Sequence, residues 1–296
     1  MKRISTEKIY QTVIYLVVGL LVVTCIFPLI YVLGLSLTSE TEFMRRGNLM
    51  IIPYEPTLSG YRRVLIATNT YVKGLGISAA RVVVGTVTKM ACTMILGYMV
   101  AQKELPGNKV LMGMVLITIL YGGGTIPTFL TVSSLGLLNT FWAMILPGLV
   151  DSWSVLVFKQ FFGNIPKDVL ESAEIDGCSE LQKFIRIVLP MSKPVLASLG
   201  LFAAVGHWNS WFDAAIYLSS NHDLYPLQLI LRNLLTNANL GADLAEDLVG
   251  NVEEALQTST SLRMVVVVVG TVPILCVYPF LQKYFTSGVY TGAVKE

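Results

Sequence analysis

Residues 163–193 read GNIPKDVLESAEIDGCSELQKFIRIVLPMSK. This polar stretch sits between two apolar runs, and its own chemistry divides it into two short helices at an angle. Pro166 suits the start of the first helix, where no N–H is needed. Asp168 in the opening turn complements the positive end of the helix dipole. Gly177 allows the turn that ends it. Ser179 then opens a second helix, and Gln182 three residues on completes a capping box. Pro190 and Pro194 are expected to stop that helix before the next apolar run.

Those flanking runs are part of a wider pattern. Of the 296 residues, 54% are hydrophobic and 14% charged, and the mean hydropathy is +0.65. Such a balance is too apolar for a soluble two-domain enzyme. Six apolar segments lie near 11–36, 75–101, 110–131, 140–162, 195–218 and 263–285, each near the ~20 residues a bilayer core needs. The expected architecture is therefore all-α and polytopic, with six transmembrane helices. The second segment carries Arg81 and Lys89, and the third is interrupted by Gly122, Gly123, Gly124 and Pro127. Broken helices persist in membranes only where protein or a wet cavity satisfies the freed backbone groups. The basic N-terminus (Lys2, Arg3, Lys8) precedes an apolar run far longer than a signal peptide's, so it reads as a retained first span.

Lysine and arginine set the orientation. With the N-terminus inside, the inner segments hold Lys103, Lys109, Lys159, Lys167, Lys183 and Arg186, among others. The outer ones hold Arg45, Arg46, Arg62, Arg63, Lys73, Arg232 and Arg263. Both termini are expected in the cytoplasm. Residues 163–193 then face inward along the membrane surface, exposing Glu171, Glu174, Asp176, Lys183 and Arg186. The organisation expected is an N-terminal helix and first outer loop over 1–70, a transmembrane core over 71–290, and an outer loop within it at 219–262. In that loop Leu227, Ile230, Leu231 and Leu234 have helical spacing.

The inner loop resembles the EAA signature of ABC importer permeases, which runs Glu-Ala-Ala, three residues, Gly, nine residues, Ile, one residue, Leu-Pro. Here the positions are Glu171, Ser172, Ala173, Gly177, Ile187, Leu189 and Pro190, with Ser172 the one departure. The resemblance extends from about residue 70 to the C-terminus and leans towards carbohydrate importers. It is supported by 135–140 (LGLLNT), 158–162 (FKQFF) ahead of Ile165 and Pro166, Trp208-Asn209, and 225–229 (YPLQL), the last similar to the branch handling oligosaccharides and polysaccharide fragments, including uronate-containing ones.

The resemblance implies a type I, MetI-like permease fold in a bacterial cytoplasmic (inner) membrane. It implies a coupling helix that docks on an ATPase, with Glu171, Ser172, Ala173, Asp176, Gly177, Ile187, Leu189 and Pro190 as the coupling positions. The implied partners are a second homologous permease subunit, two ATPase subunits, an extracytoplasmic solute-binding protein and a carbohydrate substrate. No cofactor is expected on this chain, because ATP and Mg would be bound by the partner ATPase. In related importers the last outer loop reaches the binding protein, so 219–262 either makes that contact or caps the pore mouth.

A sugar path needs ring platforms and hydrogen-bonding groups facing a wet cavity. The fifth segment supplies His207, Trp208, Asn209, Trp211 and Asp213. Trp208 and Trp211, three apart, are expected to share a face, and their other reading is an aromatic belt. Tyr121 and Asn139 are further candidates. Lys89 and Asp151 sit near the middles of their segments, where a charge costs roughly 3 kcal/mol. A Lys89–Asp151 pair fixing two spans is the favoured reading. The alternative places Arg81 and Lys89 along the path, attracting a uronate carboxylate.

Other classes fit less well. A net charge of +2 gives no nucleic-acid footprint. The four cysteines (Cys25, Cys92, Cys178, Cys276) are scattered without metal-ligand spacing. No H-E-x-x-H, G-x-S-x-G or Walker A pattern occurs, so a membrane enzyme is disfavoured. An ion-coupled secondary transporter would leave the docking loop unexplained. A permease for a non-sugar solute stays open.

Overall fold

The computed structural model describes residues 2–46, 51–62, 64–65, 69–236, 261 and 263–276. Helices dominate, and no strand occurs among the described residues. In chain order the helices are α1 (Lys2–Ser36), α2 (Glu40–Arg46), α3 (Ser59–Arg62), α4 (Asn69–Ala101), α5 (Asn108–Leu120), α6 (Thr125–Ser134), α7 (Ser152–Gly163), α8 (Lys167–Ile175), α9 (Glu180–Met191), α10 (Lys193–Asn209), α11 (Phe212–Tyr217), α12 (Leu227–Thr236) and α13 (Arg263–Cys276).

Two helices, Glu7–Ser36 within α1 and the whole of α4, are long and apolar enough to cross a bilayer alone, and two bent pairs would raise the number to four. The third apolar segment divides into α5 and α6, as its glycines predict. Gly124, at φ +79°, leads into α6. The fourth is broken too. Two short 3₁₀ turns, Phe141–Met144 and Leu146–Gly148, meet α7 at 51°, where Pro147 and Gly148 interrupt the helical ladder. The fifth divides at Ser210, whose backbone is extended between α10 and α11. Of the sixth, α13 is described and the remainder lies outside the described residues.

The chain forms two compact units: the described parts of Met1–Tyr71 with Leu231–Val272, and those of Val72–Ile230 with Pro273–Glu296. In the first unit, α1 exposes apolar side chains around its whole circumference, from Ile9 to Leu33. Water is a poor solvent for such a surface, and a lipid or protein environment is required. Its C-terminal end is fastened: the Ser36 hydroxyl meets Tyr61 at 2.7 Å, and Ser261 donates to the Thr38 carbonyl at 2.7 Å.

The second unit holds the cores that matter for the site. Phe158, Phe162, Ile165, Phe184, Val188 and Leu199 form one buried cluster, joined by Met94 and Tyr98 of α4. α4 and α7 approach so closely that a Cβ added to Gly97 would lie 2.6 Å from Phe158 Cβ. With 33 residues, α4 is roughly 50 Å long, well beyond a ~30 Å hydrocarbon core. Its C-terminal turns reach the 163–193 element, which packs on that cluster. In α12, Leu227, Leu229 and Ile230 are buried. Residues 237–260 of the expected outer loop lie outside the described set, and with them the carboxylates Asp243, Glu246, Asp247, Glu253 and Glu254.

Candidate functional site

The polar 163–193 element takes the two-helix form its sequence predicts. α8 begins after Pro166 with Asp168 in its first turn. It ends in a Schellman turn: Gly177 sits at φ +78°, its N–H donates to the Glu174 carbonyl at 2.9 Å, and the Cys178 N–H donates to the Ala173 carbonyl at 2.9 Å. The capping box of α9 is complete. Ser179 Oγ accepts from the Gln182 N–H at 3.4 Å, and Gln182 Oε1 accepts from the Ser179 N–H at 2.9 Å. Ser172, the departure from the expected Ala, donates its hydroxyl to the Asp168 carbonyl at 2.7 Å, so the exposed helix absorbs the change locally.

Two expectations are corrected. Pro190 does not stop α9. A π-helical turn over Phe184–Val188 widens the ladder just ahead of it and accommodates the ring and missing N–H, so the helix runs on to Met191. The stop comes at Ser192, where α9 and α10 meet at 83°. Lys183 is not exposed: it is 94% buried, held between Glu174 at 3.3 Å and Glu180. Ala173 is buried inside its own chain, at 7% exposure.

Glu171, Ser172, Asp176, Gly177, Pro190 and Arg186 lie outward, with Ile187 and Leu189 half-buried and Leu189 against the aromatic cluster. Tyr98 at the end of α4 donates to Glu180 Oε2 at 2.9 Å, and its ring packs on Phe184 at 4.9 Å. The result is a chain Tyr98–Glu180–Lys183–Glu174 that ties α4 to both loop helices. The hydrogen bond from Lys183 holds the Glu180 carboxyl below its ordinary value, and the bond to Glu180 raises Lys183 above its own. Sequence spacing marks Glu180 and Lys183 as neighbours on one helix face. It holds no sign that Tyr98, 82 residues earlier, completes the group.

A second feature lies where the helices break. A cavity of about 600 Å³ is lined by Arg81, Lys89, Asp151, His207 and Asp213, with Trp153, Phe202 and Phe212 also on its wall. Of the path candidates, Arg81 and Lys89 reach it, as do His207 and Asp213 of the fifth segment. Trp208 is buried elsewhere in the unit, Asn209 and Tyr121 are exposed away from it, and Trp211 packs in the Met144–Ala214–Leu218 cluster. Trp208 and Trp211 do not share a helix face, because the helix breaks between them at Ser210. Asn139 is a loop fastener at φ +60°: its side-chain carbonyl accepts from the Ser220 N–H at 2.8 Å. His207, Asp213, Ser154 and Trp153 join the wall because the breaks at 148–151 and 210 rotate them inward. Pro147 and Gly148 signalled the first break, and nothing in the sequence signalled the second.

The charges pair differently from the favoured reading. Asp151 is no mid-helix acid. It is the N-cap of α7 and accepts from the Ser154 N–H at 3.1 Å and from the Ser154 hydroxyl. Lys89 and Asp151 form no ion pair. Arg81 neither snorkels nor offers a free charge. It is 2% exposed, pairs with Asp213, and donates to the Ser210 carbonyl at 3.1 Å and the Met144 carbonyl at 3.3 Å. It clamps the break of the fifth segment to the turn of the fourth.

Comparison with known proteins bears on the family and the fold. Residues 75–290 match the family model described as binding-protein-dependent transport system inner membrane component. Protein LplC of Bacillus subtilis (strain 168) is 39% identical over 270 residues, covering 91% of this chain and 89% of LplC. The polygalacturonan/rhamnogalacturonan transport system permease protein YtcP of the same organism is 36% identical over 290 residues, covering 98% of this chain and 99% of that one. A solved bacterial ABC transporter involved in the import of the acidic polysaccharide alginate superposes with a TM-score of 0.85 at 25% identity, covering 95% of this chain and 98% of the matched one. The expected helical permease fold is thus found in a solved importer. With a family match over most of its length, an apolar helical body and a structured polar element after α7, the chain belongs to the binding-protein-dependent transport system inner membrane components.

Proposed function

We propose that this chain is one transmembrane subunit of an ATP-driven importer that carries an oligosaccharide into the cytoplasm, with ATP and Mg handled by separate ATPase subunits. The observation that carries the reading is the 163–193 element. It keeps the EAA spacing, and its inner side is fused to α4 and α7 through Tyr98, Phe162 and Phe184. Its outer side leaves Ile175 at 87% exposure, with Leu181 and Ile185 also exposed beside Glu171 and Asp176. Apolar side chains this open on a polar element mark a face that a partner protein covers. A push on that face would be passed to the broken helices around the cavity, because packed cores move as units rather than deform.

The oligosaccharide part rests on the named cargo of the relatives together with a cavity that offers ring faces and hydrogen-bonding groups. The same reading places six crossings in the membrane, both termini in the cytoplasm, a related permease alongside, and a solute-binding protein at the outer face. Uptake measured in energised vesicles tests it. Oligosaccharide import should stop on ATP depletion and continue under a proton ionophore. The reverse result would assign the chain to ion-coupled transport.

A further inference from the structure

Four charged side chains line the cavity: Arg81, Lys89, Asp151 and Asp213. Three have dedicated partners. Arg81 and Asp213 neutralise each other, and Asp213 also accepts from the Ser210 hydroxyl at 2.8 Å and the Ala214 N–H at 2.9 Å. Asp151 faces the positive N-terminal end of α7 and accepts from both donors of Ser154. Lys89 has no carboxylate within ion-pair distance among the described residues. It lies 12 residues before the end of α4, about 18 Å by helical rise, and is half-buried on the cavity wall. An ammonium held at such depth calls for an anion. Trp153, Phe202 and Phe212 on the same wall offer ring-sized apolar faces, and the Ser154 and Ser210 hydroxyls, whose protons go to Asp151 and Asp213, keep lone pairs that can accept.

We infer that Lys89 receives a carboxylate of a hexuronate-containing oligosaccharide as it passes through this cavity, and so sets the preference for acidic over neutral sugars. This rests on the oligosaccharide reading above, shares the acidic cargo named for two of the relatives, and adds a residue to it. A single carboxylate fits better than a multiply charged anion such as phosphate, because the other cation of the wall, Arg81, is already paired with Asp213 and Asp151 adds a second carboxylate to the lining.

The test uses the complete importer in proteoliposomes with two probes of equal length, trigalacturonate and its methyl ester. Wild type should import the acid faster than the ester. Lys89→Met should lower the acid-to-ester uptake ratio by at least about tenfold, and Lys89→Arg should keep most of it. Should Lys89→Met fail to assemble, Lys89→Gln provides the same loss of charge with a polar side chain. An unchanged ratio in both charge-removing variants, or equal loss of both probes in Lys89→Met, Lys89→Gln and Lys89→Arg, overturns the assignment. So does a wild type that imports only the ester, although that result leaves the oligosaccharide reading standing. Import of neither probe overturns the assignment, and the oligosaccharide reading falls with it only if neutral oligosaccharides are not imported either.

Discussion

Two residues show how much of the chain's behaviour rests on single atoms. Arg81 is buried with one carboxylate, and removing either partner strands the other charge. Arg81→Leu or Asp213→Asn should each destabilise by about 3–5 kcal/mol, read as a fall in the melting temperature of the detergent-purified protein. The double replacement with apolar residues should recover much of that loss. Gly97 is the second case. A side chain there meets Phe158 Cβ at 2.6 Å, so Gly97→Val should force α4 and α7 apart at about 1–3 kcal/mol. Transport should fall with it, because the loop is seated on the same packed cluster. Neither effect was open to sequence reading. Arg81 and Asp213 are 132 positions apart, and a mid-helix glycine carries no mark of what approaches it. Gly177 is the opposite case: a glycine two residues past a polar helix announces its left-handed turn. Gly177→Val should cost about 1–2 kcal/mol, measurable as proteolytic nicking of the loop.

At the scale of the element, the polar insert is a rigid bracket rather than a loose loop. Its rigidity comes from Lys183, drawn inward between Glu174 and Glu180, and from Tyr98 beneath. Lys183→Met should leave the helices formed by their own caps but loosen their hold on α4. The expected result is ATPase activity that persists in the assembled importer while uptake falls severalfold, since the force no longer reaches α4. The pH dependence follows from the two shifts. The Glu180 carboxyl is lowered, so its contribution is complete above the ordinary 4.5 and disappears as pH falls through the lower folded value. Lys183 is raised, so its contribution is complete below the ordinary 10.5 and disappears as pH climbs through the higher folded value. Between those limits the bracket should be indifferent to pH, and limited proteolysis of the loop across that window should give a flat profile with a rise on the acid side. The capping signals of this element were legible because they operate over three or four residues. The inward turn of Lys183 was not, since a lysine on a short polar helix ordinarily points to water.

For the whole molecule, the broken segments matter more than their number. Three apolar runs that look continuous to a hydropathy window are each divided: at 121–124, at 148–151 and at 210. Freed backbone groups at such breaks need protein or water, and two of the breaks border the cavity with Gly148, Asp151 and Ser210. This also explains why Asp151 misled the sequence reading: a carboxylate that looks stranded in mid-span is a helix cap. Single-cysteine labelling from each side of sealed vesicles checks the proposed orientation. Probes at positions 171 and 176 should react only from the cytoplasmic side, and one at 223 only from the outside.

The sequence alone determined that this chain is helical, membrane-embedded and equipped with a capped polar bracket between two apolar runs. Those features follow from local periodicity, caps and the length of apolar segments, each of which spans few residues. Which charges meet, where the helices break inward and which face of the bracket is buried were decided only by the tertiary structure. Pairings such as Arg81–Asp213 and Tyr98–Glu180 depend on helices brought together across 132 and 82 positions, and no local pattern encodes the rotation at which two packed helices settle.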